Sequence, residues 1–600
     1  MRYTLRLLTL QQFERASMMI VACEIIRRKY DLFDMPISIG LWVGNNLTPN
    51  KLEDAKESLD KLKRNGTAEH NPMQLKRCPW CGKPLNLSNY FVDMETKKMY
   101  IQCSNPQCQT HLWKEGLPVY LIDESIYEYQ PSFLVATVDK FAQLPLRNET
   151  FRLFGKCGGI QENNPPELII QDELHLISGP LGTVTGDYEV IVDKFCEFGN
   201  IPAKIIASTA TIKNAANQIK SLYGREYTQF PPQGITCDDS FFAVVSDKND
   251  KPSREYLGVM GVGTTATTVF IRVNASILYA SKYLVAQNYP EKVIDNYWTI
   301  VDYFNTLREL GGAATQIVDD VQSRYEYLCE NKFFHKYNIP AELAQQTFNH
   351  YEELTSRKDS SQIGEILEKR LTMPYSVKKI KDAYNFVLSS NMISVGIDID
   401  RLGCMVVLGQ PKSNAEYIQA TSRVGRSNPG FVVTIYNGAR SRDRSHYEQF
   451  MRYHSSLYRY VEATSLTPFS DRARDRGLQA IFIALCRFYI YELSGNRDAG
   501  NFDKNDVSYK DELDKIKKFI VQYVRCIEPQ EAADTEKELN SIIDEWHQKA
   551  KFQKSLKYKD YRNKEHSLIK DDTDLENRFR MMNSMRSVEL MSDLYLERRN

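Results

Sequence analysis

The sequence lacks several features that would assign a protein class by themselves. It has no apolar run of about 18 residues, so we expect no membrane span. It has no net charge, because 77 Lys and Arg balance 77 Asp and Glu, and a nucleic-acid site would have to be a local patch. It shows no repeats or low-complexity tracts, and a composition of 42% apolar and 26% charged residues is typical of globular proteins.

Cysteine is too sparse for a disulfide framework. The chain has 12 cysteines in 600 residues, and four of them fall in one short cluster. This pattern favours a reducing compartment with one metal site. The N-terminus also lacks an apolar core followed by a small-residue cleavage site, so we expect no signal peptide and a cytoplasmic location.

Short apolar runs alternate with helical stretches in two parts of the chain. SFLVAT, ELIIQD and KIIAST lie between residues 131 and 240, and a second set runs from Trp298 to about residue 436. Such alternation predicts α/β units around parallel sheets. We expect a first α/β domain over 1–245 with an insertion at about 71–118, a connector over 246–295, a second α/β domain over 296–465, and a helical region over 466–600.

Two adjacent acids follow one of the predicted strands. Asp172 and Glu173 come directly after ELIIQ, and ligands of parallel sheets bind beyond the carboxyl ends of the strands. One carboxylate can hold the Mg²⁺ that bridges nucleotide phosphates, and its neighbour can orient or deprotonate a water molecule. Taken alone, the pair is equally compatible with two solvated acids that cap a strand.

Three further patterns make coincidence a poor explanation. Ser208 and Thr209 follow the next apolar strand as candidate coupling hydroxyls. Arg423 and Arg426 are three residues apart, which predicts one face of a helix from which both could reach a triphosphate. The segment VGID, with Gly396 and Asp398, lies between these patterns in the chain.

The order DELH, STAT, VGID and QxxSRxGR resembles the core of the superfamily 2 helicases. The resemblance implies two RecA-like domains, the first N-terminally incomplete, with ATP in the cleft between them. It implies that Asp172 binds Mg²⁺, that Glu173 is the catalytic base and that His175 couples the nucleotide to the nucleic acid. It also implies contacts to the nucleotide, its phosphates or the nucleic-acid strand from a further set: Ser208, Thr209, Gly396, Asp398, Gln419, Arg423 and Arg426.

Other segments narrow the resemblance. YTLRLLTLQQFERA and FLVATVDKFA resemble strand-contacting helicase motifs. YTLRLLTLQQFERA, the cysteine cluster, QDELHLISGPLGT and NSMRSV near residue 586 together resemble the helicase-like components of bacterial anti-phage defence systems. This implies an enzyme that uses ATP and Mg²⁺, binds DNA, and works with a protein partner in a defence complex. The patterns do not separate DNA from RNA.

One departure from the helicase pattern affects the expected activity. The loop GxxxxGK[ST], which cradles nucleotide phosphates, occurs nowhere in the 600 residues. The sequence leaves open whether Met1 is an internal methionine of a longer reading frame or whether another polypeptide carries the loop. Three functions therefore remain: an ATP-dependent motor subunit, a DNA-binding scaffold without turnover, and an adaptor that recruits proteins through the metal ribbon.

The cysteine cluster has the spacing of a metal site. Cys78-x2-Cys81 and Cys103-x4-Cys108 are separated by 21 residues, which is the length of a β-hairpin. Four thiolates saturate tetrahedral Zn²⁺, so the spacing predicts a structural zinc ribbon.

A basic segment with interleaved tyrosines follows the arginine pair. Between Arg423 and Arg459 the sequence has seven Arg against two acids, a local net charge of +5. Cations for phosphates and aromatic rings for bases favour non-specific nucleic-acid contact. The alternative is an ordinary solvated helix with some core tyrosines.

Overall fold

The computed structural model describes the following residues: 1–4, 6–44, 47–66, 68, 70–209, 215–232, 234–236, 239, 241–242, 244, 246–247, 250, 253–330, 339–348, 351–355, 357–358, 366, 371–376, 383–394, 399–560, 564–574 and 577–586. The chain folds as two units. The first comprises Met1–Ala210, Asn214–Thr228 and Thr464–Asn600, and the second consists mainly of Gln229–Ala463.

The strands found among the described residues are β1 Arg2–Tyr3, β2 Ile39–Trp42, β3 Tyr90–Asp93, β4 Lys98–Ile101, β5 Val119–Tyr120, β6 Phe133–Thr137, β7 Lys156–Cys157, β8 Ile160–Gln161, β9 Leu168–Gln171, β10 Lys204–Ala207, β11 Arg254–Met260, β12 Ile300–Phe304, β13 Tyr351–Leu354, β14 Phe386–Ser389, β15 Cys404–Leu408, β16 Gly430–Tyr436, β17 Lys570–Asp571 and β18 Arg580–Met581.

The α-helices of the same residues are α1 Arg6–Tyr30, α2 Leu52–Asn65, α3 Asp123–Tyr129, α4 Gly179–Phe195, α5 Ala215–Tyr223, α6 Ala266–Ala286, α7 Glu291–Trp298, α8 Leu307–Gln316, α9 Gln322–Glu330, α10 Ala341–Ala344, α11 Asn414–Thr421, α12 Ser441–Glu448, α13 Phe450–His454, α14 Asp471–Tyr489, α15 Lys510–Ile527 and α16 Ala532–Phe552. No helix in the described part of the chain has the length and hydropathy that crossing a membrane requires.

The first unit contains a six-stranded parallel sheet in the order β10-β9-β1-β6-β2-β5. The apolar runs LIIQ and KIIA form β9 and β10, which pair in register from Lys204 opposite Leu168 to Ala207 opposite Gln171. Arg2 of β1 lies opposite Gln171 on the other side. The carboxyl ends of these three strands therefore lie at the same edge of the sheet, which is where the candidate site begins.

The second unit contains a second parallel sheet of six strands in the order β11-β16-β15-β12-β14-β13. Its central strands are buried along their length, as their continuous apolar runs predict. Three of its helices begin at hydroxyl N-caps, Thr265, Thr306 and Ser413, whose side chains accept a backbone N–H three residues on. The two expected parallel-sheet α/β domains are thus confirmed.

The predicted connector over 246–295 is wrong. Within this range β11 pairs with β16 along seven residues, and α6 then packs into the core of the second unit through Phe270 and Leu278. β11 is a strand because it pairs with a segment about 175 residues away, and a local sequence pattern contains no information about that partner.

Three α-helices, α14, α15 and α16, lie in the described residues after 465, within the first unit. Phe195 at the end of α4 stacks on Phe488 of α14 with ring centroids 3.8 Å apart. Phe151 and Phe154 meet both rings edge-on. This buried aromatic cluster joins the C-terminal helices to the helix that follows the acid pair.

Candidate functional site

The acid pair lies where the sequence predicts, at the carboxyl end of β9. The backbone N–H of Asp172 donates to the carbonyl of Arg2 on the neighbouring strand at 3.3 Å. Both acids are half-buried, and the N–H of Glu173 donates to Asp172 Oδ1 at 2.9 Å. The pair is therefore held at the sheet edge with access to a ligand. We call residues 172–178 the acid-pair loop.

Glu173 adopts an unusual backbone conformation. Its φ of +50° and ψ of +49° lie in the left-handed region, which costs a residue with a Cβ about 1 kcal/mol. The residue turns the chain from β9 into a short 3-10 turn, Leu174–Leu176. Strain of this kind is concentrated at functional positions, and here it falls on the residue expected to be the base.

The structure joins the two predicted motifs of the first unit. The hydroxyl of Ser208 donates to Asp172 Oδ1, and the carbonyl of Ser208 accepts the N–H of Leu174 at 3.0 Å. Thr209 Oγ1 lies 3.1 Å from Nδ1 of His175. That same nitrogen is 3.4 Å from Glu173 Oε2. Five predicted residues thus form one hydrogen-bonded cluster across the ends of β9 and β10.

The negative charge of the two acids affects the pKa of a neighbouring tyrosine. Burial raises the pKa of the Tyr3 hydroxyl, and the carboxylates of Asp172 and Glu173 raise it further. Tyr3 lies on the central strand β1, so the negative potential of the two carboxylates reaches that strand. A cation bound at the carboxylates would reduce this negative potential.

The arginine pair in the second unit is not on a helix, which corrects the sequence prediction. Helix α11 ends at Thr421, so Arg423 and Arg426 lie in the turn that follows it. The same turn contains Gly425, whose φ is +64° and where a Cβ would lie 2.3 Å from the Cα of Gly430, so the turn requires glycine at this position. Arg426 is exposed and Arg423 half-buried.

Three other residues of the second unit were predicted to belong to the site, and the structure describes one of them. Gln419 lies within α11 and is buried. Gly396 and Asp398 lie outside the described residues.

The four cysteines of the insertion come together as predicted. Their Sγ atoms all lie within 4.8 Å of one another, with 3.9 Å between Cys78 and Cys108 and 3.6 Å between Cys81 and Cys103. Zn–S bonds of about 2.3 Å in a tetrahedron require S···S separations of about 3.8 Å, so the cluster fits Zn²⁺ closely. Strands β3 and β4 form the antiparallel hairpin between the two pairs.

The turn at the first cysteine pair depends on a glycine. Gly82 has a φ of +71° and donates its N–H to the carbonyl of Cys78 at 2.9 Å, which closes the first turn. His111 lies against the cluster, with Nδ1 2.6 Å from the carbonyl of Cys103. Four sulfur ligands fill a tetrahedral zinc site, so the site would not need His111 as a ligand.

The basic segment has a mixed character. Tyr453 is buried and donates to Asn414, as a core residue would, whereas Tyr447 and Tyr458 are exposed. Arg452 and Arg459 are exposed as well. The segment therefore offers fewer aromatic rings for stacking than its sequence indicates, while its cations remain at the surface.

Sequence reasoning missed one buried polar residue at the site. Gln218 of α5 donates to the carbonyls of Leu174 and Ile177 in the acid-pair loop, at 3.2 and 2.9 Å. Its own carbonyl accepts the hydroxyl of Thr464 at 2.9 Å. These partners are 41 to 246 residues away, so no local pattern marks Gln218.

Comparison with known proteins gives matches in sequence and structure. Residues 351–428 match the helicase conserved C-terminal domain. The DISARM protein DrmA of Bacillus paralicheniformis is 40% identical over 99% of this chain and 56% of its own length. The chain thus spans little more than half the length of this curated relative.

Among solved structures, the chain is similar to helicase MrfA bound to DNA and AMPPNP, with 14% identity, 80% of this chain and 51% of that chain covered, and a TM-score of 0.40. It is also similar to the Mycobacterium smegmatis helicase Lhr bound to ssDNA and AMP-PNP, with 12% identity, 85% and 50% covered, and a TM-score of 0.38.

Proposed function

We propose that the chain is a superfamily 2 helicase, similar to the DISARM protein DrmA, and that it is the ATP-dependent nucleic-acid motor subunit of a bacterial anti-phage defence system. We propose DNA as the nucleic acid, a second protein of the same system as the partner, and the cytoplasm as the location. The observation that carries the proposal is the cluster in which Ser208 bonds Asp172 and Thr209 meets His175.

The acids of the cluster are suited to phosphoryl transfer. Oδ1 of Asp172 is occupied by the N–H of Glu173 and the hydroxyl of Ser208, which leaves Oδ2 for Mg²⁺. Mg²⁺, when bound, would neutralise charge on the nucleotide phosphates. Glu173 would orient a water molecule and accept its proton. His175 and Thr209 would report the state of the site to β10 and the helix after it.

The second unit would supply positive charge to the same reaction. We propose that Arg423, Arg426 and Gln419 contact the triphosphate. Guanidinium groups suit this role because they bind phosphate oxygens in a fixed geometry. We propose that Gly396 and Asp398 contact the nucleotide or the strand, and that the four cysteines hold a structural Zn²⁺.

A second function is favoured by one specific observation. The 600 residues contain no GxxxxGK[ST] loop to cradle the phosphates. A DNA-binding scaffold without turnover of its own would need no such loop. The two functions differ in whether nucleotide is hydrolysed, so a single assay separates them.

The test is Glu173→Gln, measured as ATP hydrolysis with and without a single-stranded oligodeoxynucleotide. Loss of the base should lower the DNA-stimulated rate by about 10² or more, while DNA binding persists. Glu167→Gln is the matched control, because Glu167 is exposed and precedes β9. Tight, salt-sensitive DNA binding by a wild-type protein that hydrolyses no ATP would replace the motor with the scaffold.

A further inference from the structure

A short segment of the first unit lies along the helix that follows the acid pair. This segment, Thr464–Ser470, begins directly where the second unit ends at Ala463, and we call it the strap. Its carbonyl at Ser465 accepts the N–H of Gly179, and its N–H groups at Thr467 and Phe469 donate to the side chains of Thr183 and Asp187 at 3.1 and 2.8 Å.

One face of α4 has the residues that allow close contact with the strap. Gly179, Thr183 and Asp187 are spaced by four residues, so they share one face of the helix. Gly182 and Gly186 leave room on that side: a Cβ on Gly182 would lie 2.2 Å from Leu466, and one on Gly186 would lie 3.1 Å from Pro468. The register of the strap on α4 is therefore fixed by hydrogen bonds and by close packing.

Gln218 connects this strap to the acid-pair loop. Its side chain is only 2% exposed and makes three hydrogen bonds: two as donor to Leu174 and Ile177, one as acceptor from Thr464. Because water does not reach a buried amide, the loss of one partner is not compensated by solvent. If Thr464 is displaced, the acid-pair loop, which carries Glu173 and His175, must therefore move as well.

We propose that Gln218 is a positioning residue that couples the acid-pair loop to the strap, so that movement of the chain leaving the second unit alters the placement of the acids. The inference rests on the proposed function and adds a route for its regulation. It requires no contact between Gln218 and nucleotide. The structure motivates it because one amide bridges the turn after Glu173 and the first residue beyond the second unit.

The experiment compares Thr464→Val with Thr464→Ser. Valine removes the hydroxyl while leaving both bonds from Gln218 to the loop, and serine restores the hydroxyl. In the ligand-free protein, we expect amide hydrogen exchange over residues 172–178 to rise about fivefold in Thr464→Val, as for the loss of one hydrogen bond, and to return in Thr464→Ser. Thr467→Val is the matched control, because Thr467 bonds α4 through its backbone N–H and its side chain is exposed.

A second measurement separates coupling from simple support of the fold. In Thr464→Val the ATP hydrolysis rate without DNA should be retained, and stimulation by a single-stranded oligodeoxynucleotide should fall by about fivefold. Unchanged exchange over 172–178, or an equal loss of basal and stimulated rates, would overturn the proposal. If the wild type hydrolyses no ATP, the proposed function fails, and the exchange comparison alone then decides whether Gln218 links loop and strap.

Discussion

At the scale of single residues, Asp187 on α4 carries the clearest electrostatic consequence. It is fully buried, and its Oδ1 accepts the N–H of Phe469. Burial raises the pKa of Asp187 to about 8. The folded protein therefore keeps a proton there that the unfolded chain releases near pH 4.

Asp187→Asn should flatten the pH dependence of stability. A raised carboxyl pKa gives stability that is full below pH 4 and is lost as pH rises towards 8, by about 1.4 kcal/mol for each pH unit. Asparagine keeps the acceptor for Phe469 but cannot ionise. Denaturant midpoints of both proteins between pH 5 and pH 8 measure the difference. Asp514→Asn, at an exposed position of α15, should retain the wild-type slope, and an equal slope in Asp187→Asn would contradict the assignment.

At the scale of elements, we expect the ribbon to depend on a bound metal more than on its strands. Strands β3 and β4 have four residues each, and an isolated two-stranded hairpin of that size is marginal in water. The four sulfurs close both ends of the hairpin. The free energy of metal binding then becomes folding energy for the insertion.

We expect Cys78→Ser to abolish stoichiometric zinc binding. Wild-type protein should carry about one zinc per chain, and the variant should carry a small fraction of that, because three thiolates leave one tetrahedral position to a weaker ligand. The ribbon should also become sensitive to limited proteolysis between residues 71 and 118. Cys526→Ser removes an exposed thiol elsewhere and should keep the full zinc content. Full zinc content in Cys78→Ser would rule out the four-sulfur site.

At the scale of the whole molecule, the absence of net charge means that nucleic-acid binding must depend on local cations. Arg452 and Arg459 are exposed in the second unit. If each neutralises one phosphate of a single strand, replacing both with glutamine should reduce the slope of log affinity against log salt by about 1.4.

The salt slope is measured with a single-stranded oligodeoxynucleotide over a range of NaCl concentrations. The control double variant replaces two exposed cations of the first unit, Arg472 and Lys518, with glutamine. It removes the same total charge, so a general effect of net charge would lower both slopes equally. Equal slopes in the two variants would remove Arg452 and Arg459 from the nucleic-acid contact.

Local sequence patterns were enough to place the functional residues relative to the strands. The apolar runs that became β9, β10, β12 and β14 to β16 were evident, and residues after a parallel strand must lie at the carboxyl edge of its sheet. That rule placed Asp172 and Ser208 each at the carboxyl end of a strand, and the structure shows that their side chains are hydrogen-bonded. The cysteine pairs could likewise be recognised as a metal site, because the spacing of metal ligands is a local feature of the sequence.

The remaining features depend on contacts between distant segments. β11 is a strand because β16 is beside it, Gly425 is required because the chain packs on Gly430, and Gln218 matters because Thr464 reaches it from 246 residues away. Periodicity and strand ends are properties of neighbouring residues, so a sequence displays them. Hydrogen bonds and close packing between distant segments form only when the whole chain has folded, so those partners could not be read in advance.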